Sequence, residues 1–445
     1  METITRRSLA PLMAAGLAPR PDWRPPNIVI IFADDLGYGD LGCQGHPTIR
    51  TPHLDQMARE GVRFTQFYDA APACSPSRAA LLTGRLPVRN GVNNVLNPWA
   101  QGGLPAEETT LAEALKPRGY ATACVGKWHL GHRPQYLPTR RGFDSWFGIP
   151  YSNDMSKATA GNPGFIRSLE QHPETGPLPL MRGERIVETE PDQSQLTRRY
   201  TEEATRFIRE SANRPFFLYL PHAMPHHPLA ASERFRGKSR RGLYGDVVEE
   251  LDWSVGEIRR TLRERKLDTN TLLVFSSDNG PWLVKNEEGG SAGLLREGKG
   301  THWEGGFRVP AIAAWPGRIP AGLTAMAPAS TMDLFPTVLA QAGAEAPAGR
   351  MLDGQDISPL LFGRVSTRED FALFYYGGQV LRGVRAGPWK LVLPARAVEK
   401  PALYHLEHDP SEKYDRAGAE PGVVERLQAI IAEHRRTLVP GPPQS

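Results

Sequence analysis

Short, continuously apolar segments recur along the chain and end in polar residues. Three of them, NIVIIFADD at 27–35, PFFLYL at 215–220 and TLLVFSSDNG at 271–280, have the pattern of strands buried on both faces of a sheet. A fourth, ATACVGKWH at 121–129, ends in a lysine and a histidine. The segment VRFTQFY at 62–68 alternates apolar and polar residues, which also predicts a strand.

Amphipathic segments separate these runs and predict helices. The clearest is DVVEELDWSVGEIRRTL at 246–262, whose apolar residues recur at helical spacing. Helices are also predicted over 52–61, 77–84, 109–120 and 195–211. Helices that alternate with buried strands predict an α/β layered fold with a large, mostly parallel central sheet. Ligand sites in such folds lie at the carboxyl ends of the strands.

Two regions depart from this alternation. The region 155–195 is rich in proline, glycine and charge, and we interpret it as an excursion over the surface near the site. From about residue 366, short strands separated by glycine precede a final helix, VVERLQAIIAEHRR. We therefore expect a catalytic domain over 27–365 and a small C-terminal α+β subdomain, built on an antiparallel sheet, over 366–445.

The first 26 residues predict an export signal and a linker. Arg6 and Arg7 precede an apolar stretch that ends near Ala18, as in a twin-arginine signal, although Pro11 interrupts the stretch. A frayed, alanine-rich N-terminus is the alternative. No other apolar run is long enough to span a bilayer, so we expect an exported, periplasmic or secreted protein without a membrane span.

Charge and cysteine content exclude several classes of protein. The net charge of +4 is spread over 53 basic and 49 acidic residues, which is too dilute to indicate nucleic-acid binding. The three cysteines, Cys43, Cys74 and Cys124, form no Cys-x-x-Cys pair and allow one disulfide at most. The sequence leaves open whether Cys43 and Cys124 are bridged.

Acidic and amide side chains follow two of the buried strands. Asp34 and Asp35 end the first strand, and Asp278 and Asn279 end another that is far away in the sequence. Taken singly, such residues are turn signals more often than ligands. Three converging carboxylates repel one another unless a cation lies between them. Oxygen ligands indicate a hard divalent cation, Ca²⁺ or Mg²⁺, rather than zinc.

Cys74 and a set of basic side chains form a second group of candidates. Cys74 lies in ACSPSRAALLTGR, at the predicted start of a helix, where a buried structural thiol is the simplest explanation. Basic side chains follow in the same helix and in three glycine- or proline-rich segments: Arg78, Lys127, His129, His226 and Lys299. Each alone is most simply a solvated charge, but together around a metal they would bind a tetrahedral oxyanion.

The stretch from Cys74 to Arg85, CSPSRAALLTGR, closely resembles the signature of the sulfatases. The resemblance continues in the family's order through ADDLGYGDLGCQGHP, GKWHLGH, GFDSWFGIPYSND, FSSDNGP, GKGTHWEGGFRVPAIAAWPG and LYHLEHDPSEKYD, from Asn27 to about Asp415. The segments GIPYSND and GKGTHWEGGFRVPA are most similar to the branch of arylsulfatase A and N-acetylgalactosamine-6-sulfatase. This resemblance implies an alkaline-phosphatase-like fold and the hydrolysis of sulfate esters.

The resemblance also implies that Cys74 is chemically modified. In sulfatases, a formylglycine-generating enzyme reads the motif on the unfolded chain and converts its cysteine to formylglycine (3-oxoalanine). Cys74 would then be the precursor of a hydrated aldehyde, one hydroxyl of which attacks sulfur and expels the alcohol or phenol. The implied Ca²⁺ ligands are Asp34, Asp35, Asp278, Asn279 and the modified Cys74.

Four further roles follow from matching positions in the family. Arg78 would hold the formylglycine, and Lys127 would bridge it and the sulfate. His129 would take the proton whose loss releases sulfate and regenerates the aldehyde. Ser152 would touch the sulfate.

His226 and Lys299 would contact the sulfate and help to protonate the leaving oxygen. His226 is favoured over His222 and His227 by its spacing from FFLYL.

The sequence leaves the substrate and two other functions open. Neither 155–195 nor Trp303 decides between an aryl sulfate and a sulfated carbohydrate. One alternative is a phosphonate monoester or phosphodiester hydrolase of the same superfamily, against which the two lysines argue. The other is a non-catalytic, sulfated-glycan-binding relative, against which the intact Cys74, histidines and lysines argue.

Overall fold

The computed structural model describes residues 24–396 and 400–444. Its architecture is α/β and confirms the fold class expected from the sequence. The predicted export signal lies in residues 1–23, outside the described part of the chain. Among the described helices, none is both long enough and apolar enough to cross a bilayer.

Within the described residues, eleven strands form a mixed central sheet and four form a separate antiparallel sheet. The central strands are β1 (Asn27–Ala33), β2 (Val62–Tyr68), β3 (Ala121–Val125), β4 (Ser145–Gly148), β5 (Pro179–Arg182), β6 (Arg185–Thr189), β7 (Phe216–Pro221), β8 (Thr271–Ser277), β9 (Arg308–Ala314), β10 (Leu323–Ala325) and β11 (Ala329–Ser330). The small sheet contains β12 (Ala372–Gly377), β13 (Val380–Ala386), β14 (Trp389–Val392) and β15 (Ala402–His405). The central order is β10-β2-β9-β8-β1-β7-β3-β4-β5-β6, with β11 also beside β2.

Helices cover both faces of the central sheet. They are α1 (Pro52–Glu60), α2 (Cys74–Thr83), α3 (Pro87–Asn90), α4 (Leu111–Leu115), α5 (Pro163–Gln171), α6 (Leu196–Glu210), α7 (Leu243–Glu264), α8 (Glu304–Phe307), α9 (Leu334–Ala342), α10 (Ser358–Leu361) and α11 (Pro421–Thr437). Helices α1, α6 and α7 share a core with one face, and α2, α4 and α9 share a core with the other. Helix α11 packs on β13 and β14 of the small sheet.

The central strand β1 explains why the sequence is continuously apolar there. Its alternate residues enter two different cores, with Ile28, Ile30 and Phe32 on one side and Val29, Ile31 and Ala33 on the other. It pairs in parallel with both β7 and β8. The carboxyl ends of these three strands therefore meet at one edge of the sheet, where Asp34 and Asp278 follow β1 and β8.

Pairing is parallel at the centre of the sheet and antiparallel on both sides of that centre, and β10 and β11 again pair in parallel with β2. Strand β9 runs antiparallel to both β2 and β8, and β5 and β6 form a hairpin at the other edge. The region 155–195, interpreted as a surface excursion, contains that hairpin together with α5. The predicted helix over 109–120 is shorter than expected, because Pro117 cannot donate a backbone hydrogen bond and a 3-10 turn follows α4.

The small sheet is antiparallel, and its apolar face shares a core with the main body. Ala80 of α2 and Phe307 of α8 pack in one cluster with Leu373, Tyr375 and Leu427. The C-terminal sheet is thus attached to the helix that begins at Cys74. The domain boundary at residues 365 and 366 stays a prediction.

Gly126 places the next residue, Lys127, at the edge of the sheet. Its φ of 131° lies in the region that favours glycine, and a Cβ there would lie 1.8 Å from the Pro221 carbonyl oxygen. Its N–H donates to Phe147 O (2.8 Å), and the Lys127 N–H donates to Pro221 O (2.8 Å). The loop after β3 therefore packs backbone against backbone on the end of β7.

We predict that Gly126→Ala lowers the free energy of unfolding by about 3 kcal/mol, because backbone strain and overpacking add at this position. Gly119→Ala is the matched control, since Gly119 also has a positive φ but a Cβ would meet no atom of the described chain within 4 Å. Its expected cost is about 1 kcal/mol. Urea denaturation measures both, and equal midpoints for the two variants would contradict the close approach at Gly126.

Candidate active site

The structure brings the four predicted oxygen ligands together at the carboxyl ends of β1 and β8. The Asp35 N–H donates to Asp278 Oδ1 (3.1 Å), and Asn279 Nδ2 donates to Asp35 Oδ1 (2.7 Å). The Asp34 N–H donates to Met224 O at 3.1 Å. All four side chains are buried, so the charges of the three carboxylates need compensation from the protein.

Arg78 compensates two of these carboxylates from the first turns of α2. Its Nε and Nη2 donate to Asp278 Oδ2 at 3.0 and 2.6 Å, and Nη2 lies 3.4 Å from Asp34 Oδ2. Its Nη1 donates to the Lys127 carbonyl oxygen at 3.0 Å. The guanidinium therefore ties together the ends of β1, β3 and β8.

Two lysines complete the charge balance. Lys127 Nζ lies 2.5 Å from Asp34 Oδ2 and donates to Ser152 Oγ at 3.0 Å. Lys299 Nζ lies 2.8 Å from the Asp35 carboxylate. The three carboxylates of the site are thus matched by Arg78 and the two lysines. Any added cation gives the site a net positive charge, which suits an anionic ligand.

Cys74 is the first residue of α2 and is almost completely buried. Its thiol donates to Asp34 Oδ1 (3.5 Å), and Lys299 Nζ donates to its Sγ (3.5 Å). Burial raises the pKa of the thiol despite the lysine charges nearby, so the group stays protonated and is a poor nucleophile. Cys43, Cys74 and Cys124 are all free, so no bridge joins Cys43 and Cys124.

The pKa values of Asp34 and Asp35 shift in opposite directions. Burial alone would raise the pKa of Asp34, but Lys127 and Arg78 outweigh it and lower that pKa below the usual range. Burial raises the pKa of Asp35 to about 7 although Lys299 opposes it, and the neighbouring Asp34 adds to the rise. Both shifts reflect a site that concentrates charge away from water.

The donor set fits a hard divalent cation. Asp34, Asp35, Cys74 and His226 each offer a ligand atom within 4.8 Å of the others. Asn279 Oδ1 is buried and has no hydrogen-bond partner in the described part of the chain, so it is left to accept a cation. Asp278 lies outside this set, and its two oxygens accept hydrogen bonds from the Asp35 N–H and from Arg78.

His129 has a free acceptor nitrogen. Its Nε2 lies 3.1 Å from the Leu96 carbonyl oxygen, so Nε2 carries the proton and donates to it. Its Nδ1 is buried and finds no partner within 24–396 or 400–444. Burial, reinforced by Lys127 and Arg78, lowers the pKa of His129 well below its ordinary value. The neutral ring therefore offers Nδ1 as a proton acceptor.

Only one of three neighbouring histidines joins the carboxylate cluster. His226 Nε2 lies 3.6 Å from Asp35 Oδ2, and its Nδ1 donates to the His227 carbonyl at 2.6 Å. His222 instead contacts Ser254 Oγ (3.2 Å), and His227 contacts Glu288 (2.7 Å). Of the three histidines, His226 is the one that the structure places beside the carboxylates.

Trp282 contacts the site and was not among the candidates from the sequence. Its ring lies 5.2 Å from the His226 ring, and Lys299 Nζ lies 4.6 Å from its centroid. The feature of the sequence that indicates its place in the site is its position, three residues after Asn279. Trp303, considered above as a substrate contact, packs instead on the Arg296 guanidinium at 3.5 Å.

Comparison with known proteins identifies the family. A family model described as Sulfatase matches residues 26–344, most of the chain. The chain belongs to the sulfatase family. A second model, described as N-sulphoglucosamine sulphohydrolase, C-terminal, matches residues 298–436 of this sulfatase.

The sulfatase is similar to curated relatives over nearly its whole length. It is 43% identical to arylsulfatase A of Homo sapiens, covering 98% of this chain and 93% of the relative. It is 41% identical to N-acetylgalactosamine-6-sulfatase of Canis lupus familiaris, covering 98% and 91%. A crystal structure of Ps i-CgsB in complex with k-i-k-neocarrahexaose shares 30% identity and a TM-score of 0.81, covering 95% of each chain. The chain is therefore a sulfuric ester hydrolase of the arylsulfatase A and N-acetylgalactosamine-6-sulfatase branch.

We predict that Arg78→Met lowers the free energy of unfolding of the sulfatase by about 3–5 kcal/mol, because it leaves buried carboxylates without their counter-ion. Urea denaturation in the presence of a chelator measures this, since no cation can then replace the guanidinium. Arg140→Met is the control. Arg140 pairs with Glu184 at 2.7 Å on the surface, where both side chains are largely exposed, and its removal should cost no more than about 1 kcal/mol. Equal losses in the two variants would contradict the role of Arg78.

Proposed function

We propose that this sulfatase hydrolyses the sulfate ester of a sugar or a phenol with a nucleophile made from Cys74. The observation that supports this most directly is the surroundings of the Cys74 side chain. It lies at the positively polarised start of α2, within 3.5 Å of both Asp34 and Lys299. The free thiol is protonated and inert there, so a reactive group at this position requires a chemical change to the side chain.

Formylglycine at position 74, made by a formylglycine-generating enzyme during maturation, is the change we propose. When hydrated, it supplies one hydroxyl that attacks sulfur and a second whose deprotonation releases sulfate. The ammonium of Lys299 lies 3.5 Å from the Cys74 sulfur, and Arg78 follows one turn later in α2, so both would orient the modified side chain.

A divalent cation, Ca²⁺ with Mg²⁺ as the alternative, is the proposed cofactor. Asp34, Asp35, Asp278, Asn279 and residue 74 would hold it, and the proximity of His226 to Asp35 adds a sixth candidate. When bound, the cation supplies positive charge to the sulfate oxygens.

The side chains that bind sulfate are proposed from their hydrogen-bonding capacity. Lys127 and Ser152 form a donor pair 3.0 Å apart at the end of β3. Lys299 carries three protons on Nζ and lies between Asp35 and Cys74, so it can donate to a sulfate oxygen and to the leaving oxygen. His226 uses its Nδ1 proton on the His227 carbonyl, so its Nε2 donates to a sulfate oxygen only when the ring carries a second proton.

Proton transfer on release of sulfate is assigned to His129. Its Nε2–H is committed to the Leu96 carbonyl, and Nδ1 therefore has the lone pair that takes the proton. Neutrality of the ring before the transfer follows from its burial beside Lys127 and Arg78. The same arrangement lets His129 return the proton to water after each turnover.

Both substrate classes have support from relatives. N-acetylgalactosamine-6-sulfatase is named for a sugar sulfate, and the Ps i-CgsB structure holds an oligosaccharide. Arylsulfatase A is named for aryl sulfates. The paired arginines at Arg6 and Arg7 support export to the periplasm or medium, where such substrates occur outside the cell.

We predict that the tryptic peptide Phe64–Arg78, from protein expressed with a formylglycine-generating enzyme, has lost one sulfur and two hydrogens and gained one oxygen. The measurement is a mass spectrum of that peptide. In parallel, Cys74→Ala should lower kcat for an aryl sulfate by at least about 10²-fold, with an unchanged unfolding midpoint. Cys43→Ala is the control, since Cys43 lies outside the site and should leave both values unchanged.

An unmodified thiol in a preparation with wild-type turnover would overturn the proposed nucleophile. Wild-type turnover by Cys74→Ala would do so as well.

A further inference from the structure

A buried ionic cluster connects the Lys299 segment, residues 296–304, to the small C-terminal sheet. Lys390 Nζ of β14 lies 3.1 Å from Glu304 Oε1 and 2.7 Å from Glu412 Oε1. The Glu304 N–H donates to Glu412 Oε2 at 2.7 Å. These three side chains are fully buried, and 108 residues separate Glu304 from Glu412.

Hydroxyl groups from both sheets complete the cluster around Glu304. Tyr68 of β2 donates to Glu304 Oε2 at 2.7 Å, and Tyr375 of β12 donates to Oε1 at 2.8 Å. Burial alone would raise the pKa of Glu304, but Lys390 and Arg385 lower it to about 2. Glu304 is therefore a fixed anion on which strands of both sheets converge.

Glu412 also holds the other end of the Lys299 segment. Its carbonyl oxygen accepts a hydrogen bond from Arg296 Nη1 at 3.0 Å. The Arg296 guanidinium stacks on Trp303, 3.5 Å from the ring centroid, and Trp303 packs edge-on against Tyr404 of β15. Residues 296 and 304, which flank Lys299, are thus both attached to Glu412.

Between those two attachments, the segment has no regular structure until α8 begins. The Lys299 N–H donates to Pro281 O (2.9 Å), and the Gly300 N–H donates to Pro72 O (2.8 Å). The Gly305 N–H donates to Arg296 O (2.8 Å) and closes the segment into a loop. The position of Lys299 Nζ beside Cys74 therefore depends on how firmly this loop is held at its base.

We propose that Glu412 of the C-terminal segment is a positioning residue for Lys299, and this rests on the proposed function in which Lys299 contacts the sulfate. Glu412 holds both flanks of the loop, one through its carboxylate and one through its carbonyl oxygen. The C-terminal subdomain is then part of the active site, because β14 carries Lys390 and the turn after β15 carries Glu412 to the base of the loop.

The chemistry of the cluster favours positioning over plain stabilisation. Buried ion pairs add little net stability, and well-packed apolar residues of similar volume often serve as well. The cluster instead fixes the orientation of the loop at its base, because each hydrogen bond fixes an angle as well as a distance. A reacting group displaced by about 1 Å can lose about 10²-fold in rate, so a fixed loop base has a large kinetic effect.

The experiment is a double-mutant cycle between Glu412 and Lys299. Wild type, Glu412→Gln, Glu412→Ala, Lys299→Ala and the Lys299→Ala combinations are assayed with aryl sulfates of different leaving-group pKa. Glu407→Gln is the matched control, because Glu407 is an exposed carboxylate in the same segment. Hydrogen exchange of residues 296–306, with β1 as the internal reference, reports on the loop without any turnover.

The expected result is that Glu412→Ala lowers kcat about ten- to a hundredfold, mainly for poor leaving groups, while KM changes little. In the Lys299→Ala background, Glu412→Ala should lower kcat almost no further. Exchange at 296–306 should accelerate in Glu412→Ala and stay unchanged at β1. Glu412→Gln keeps the size of the side chain and should give a smaller loss of the same kind.

Two outcomes would overturn only the positioning of Lys299 by Glu412. One is that the losses of kcat in the cycle are additive, and the other is wild-type hydrogen exchange at 296–306 in both Glu412 variants. Wild-type turnover by Lys299→Ala would overturn the proposed function of Lys299 and the inference with it.

Discussion

Three buried carboxylates meet where β1 and β8 end, and much of the surrounding structure serves to compensate their charge. Asp34, Asp35 and Asp278 cannot lie together away from water without cations between and around them. Arg78 supplies one from α2, and the lysines supply two more from the loops after β3 and β8. The position of α2, and with it that of Cys74, follows from this need for charge balance.

The same constraint supports the proposed binding of an anion. Protein cations already balance the protein carboxylates, so a bound divalent cation leaves an excess of positive charge that a sulfate ester can neutralise. Lys127 and Lys299 each have protons to spare once a cation takes over part of the charge of Asp34 and Asp35. Substrate binding and metal binding are therefore expected to support each other.

Much of the fold was predictable because the central strands are apolar on both faces. Strands β1, β7 and β8 were predicted from unbroken apolar runs, and their parallel pairing follows from the helices between them. The antiparallel direction of β9 was not predictable, since a strand carries the same local pattern in either direction. Pro117 signals the shortening of α4, because proline cannot donate the backbone hydrogen bond of a continuing helix.

The candidate site was predictable where its residues follow strands, as for Asp34, Asp35, Asp278 and Asn279. Their convergence depends only on the parallel order of the sheet. The choice of His226, by contrast, rested on loop spacing, and the structure places its Nε2 3.6 Å from Asp35 Oδ2. The contribution of Glu412 was beyond the reach of the sequence, because no local pattern links it to a glutamate 108 residues away.

Hydrolysis of a sulfate ester, rather than of a phosphate diester, is the activity that this arrangement supports best. The most direct test is the ratio of kcat/KM for an aryl sulfate and for the diester of the same phenol, measured on one preparation of the protein. The fraction of molecules that carry a modified Cys74 cancels in that ratio. A clear preference for the sulfate is the predicted result, and a preference for the phosphodiester would contradict the account.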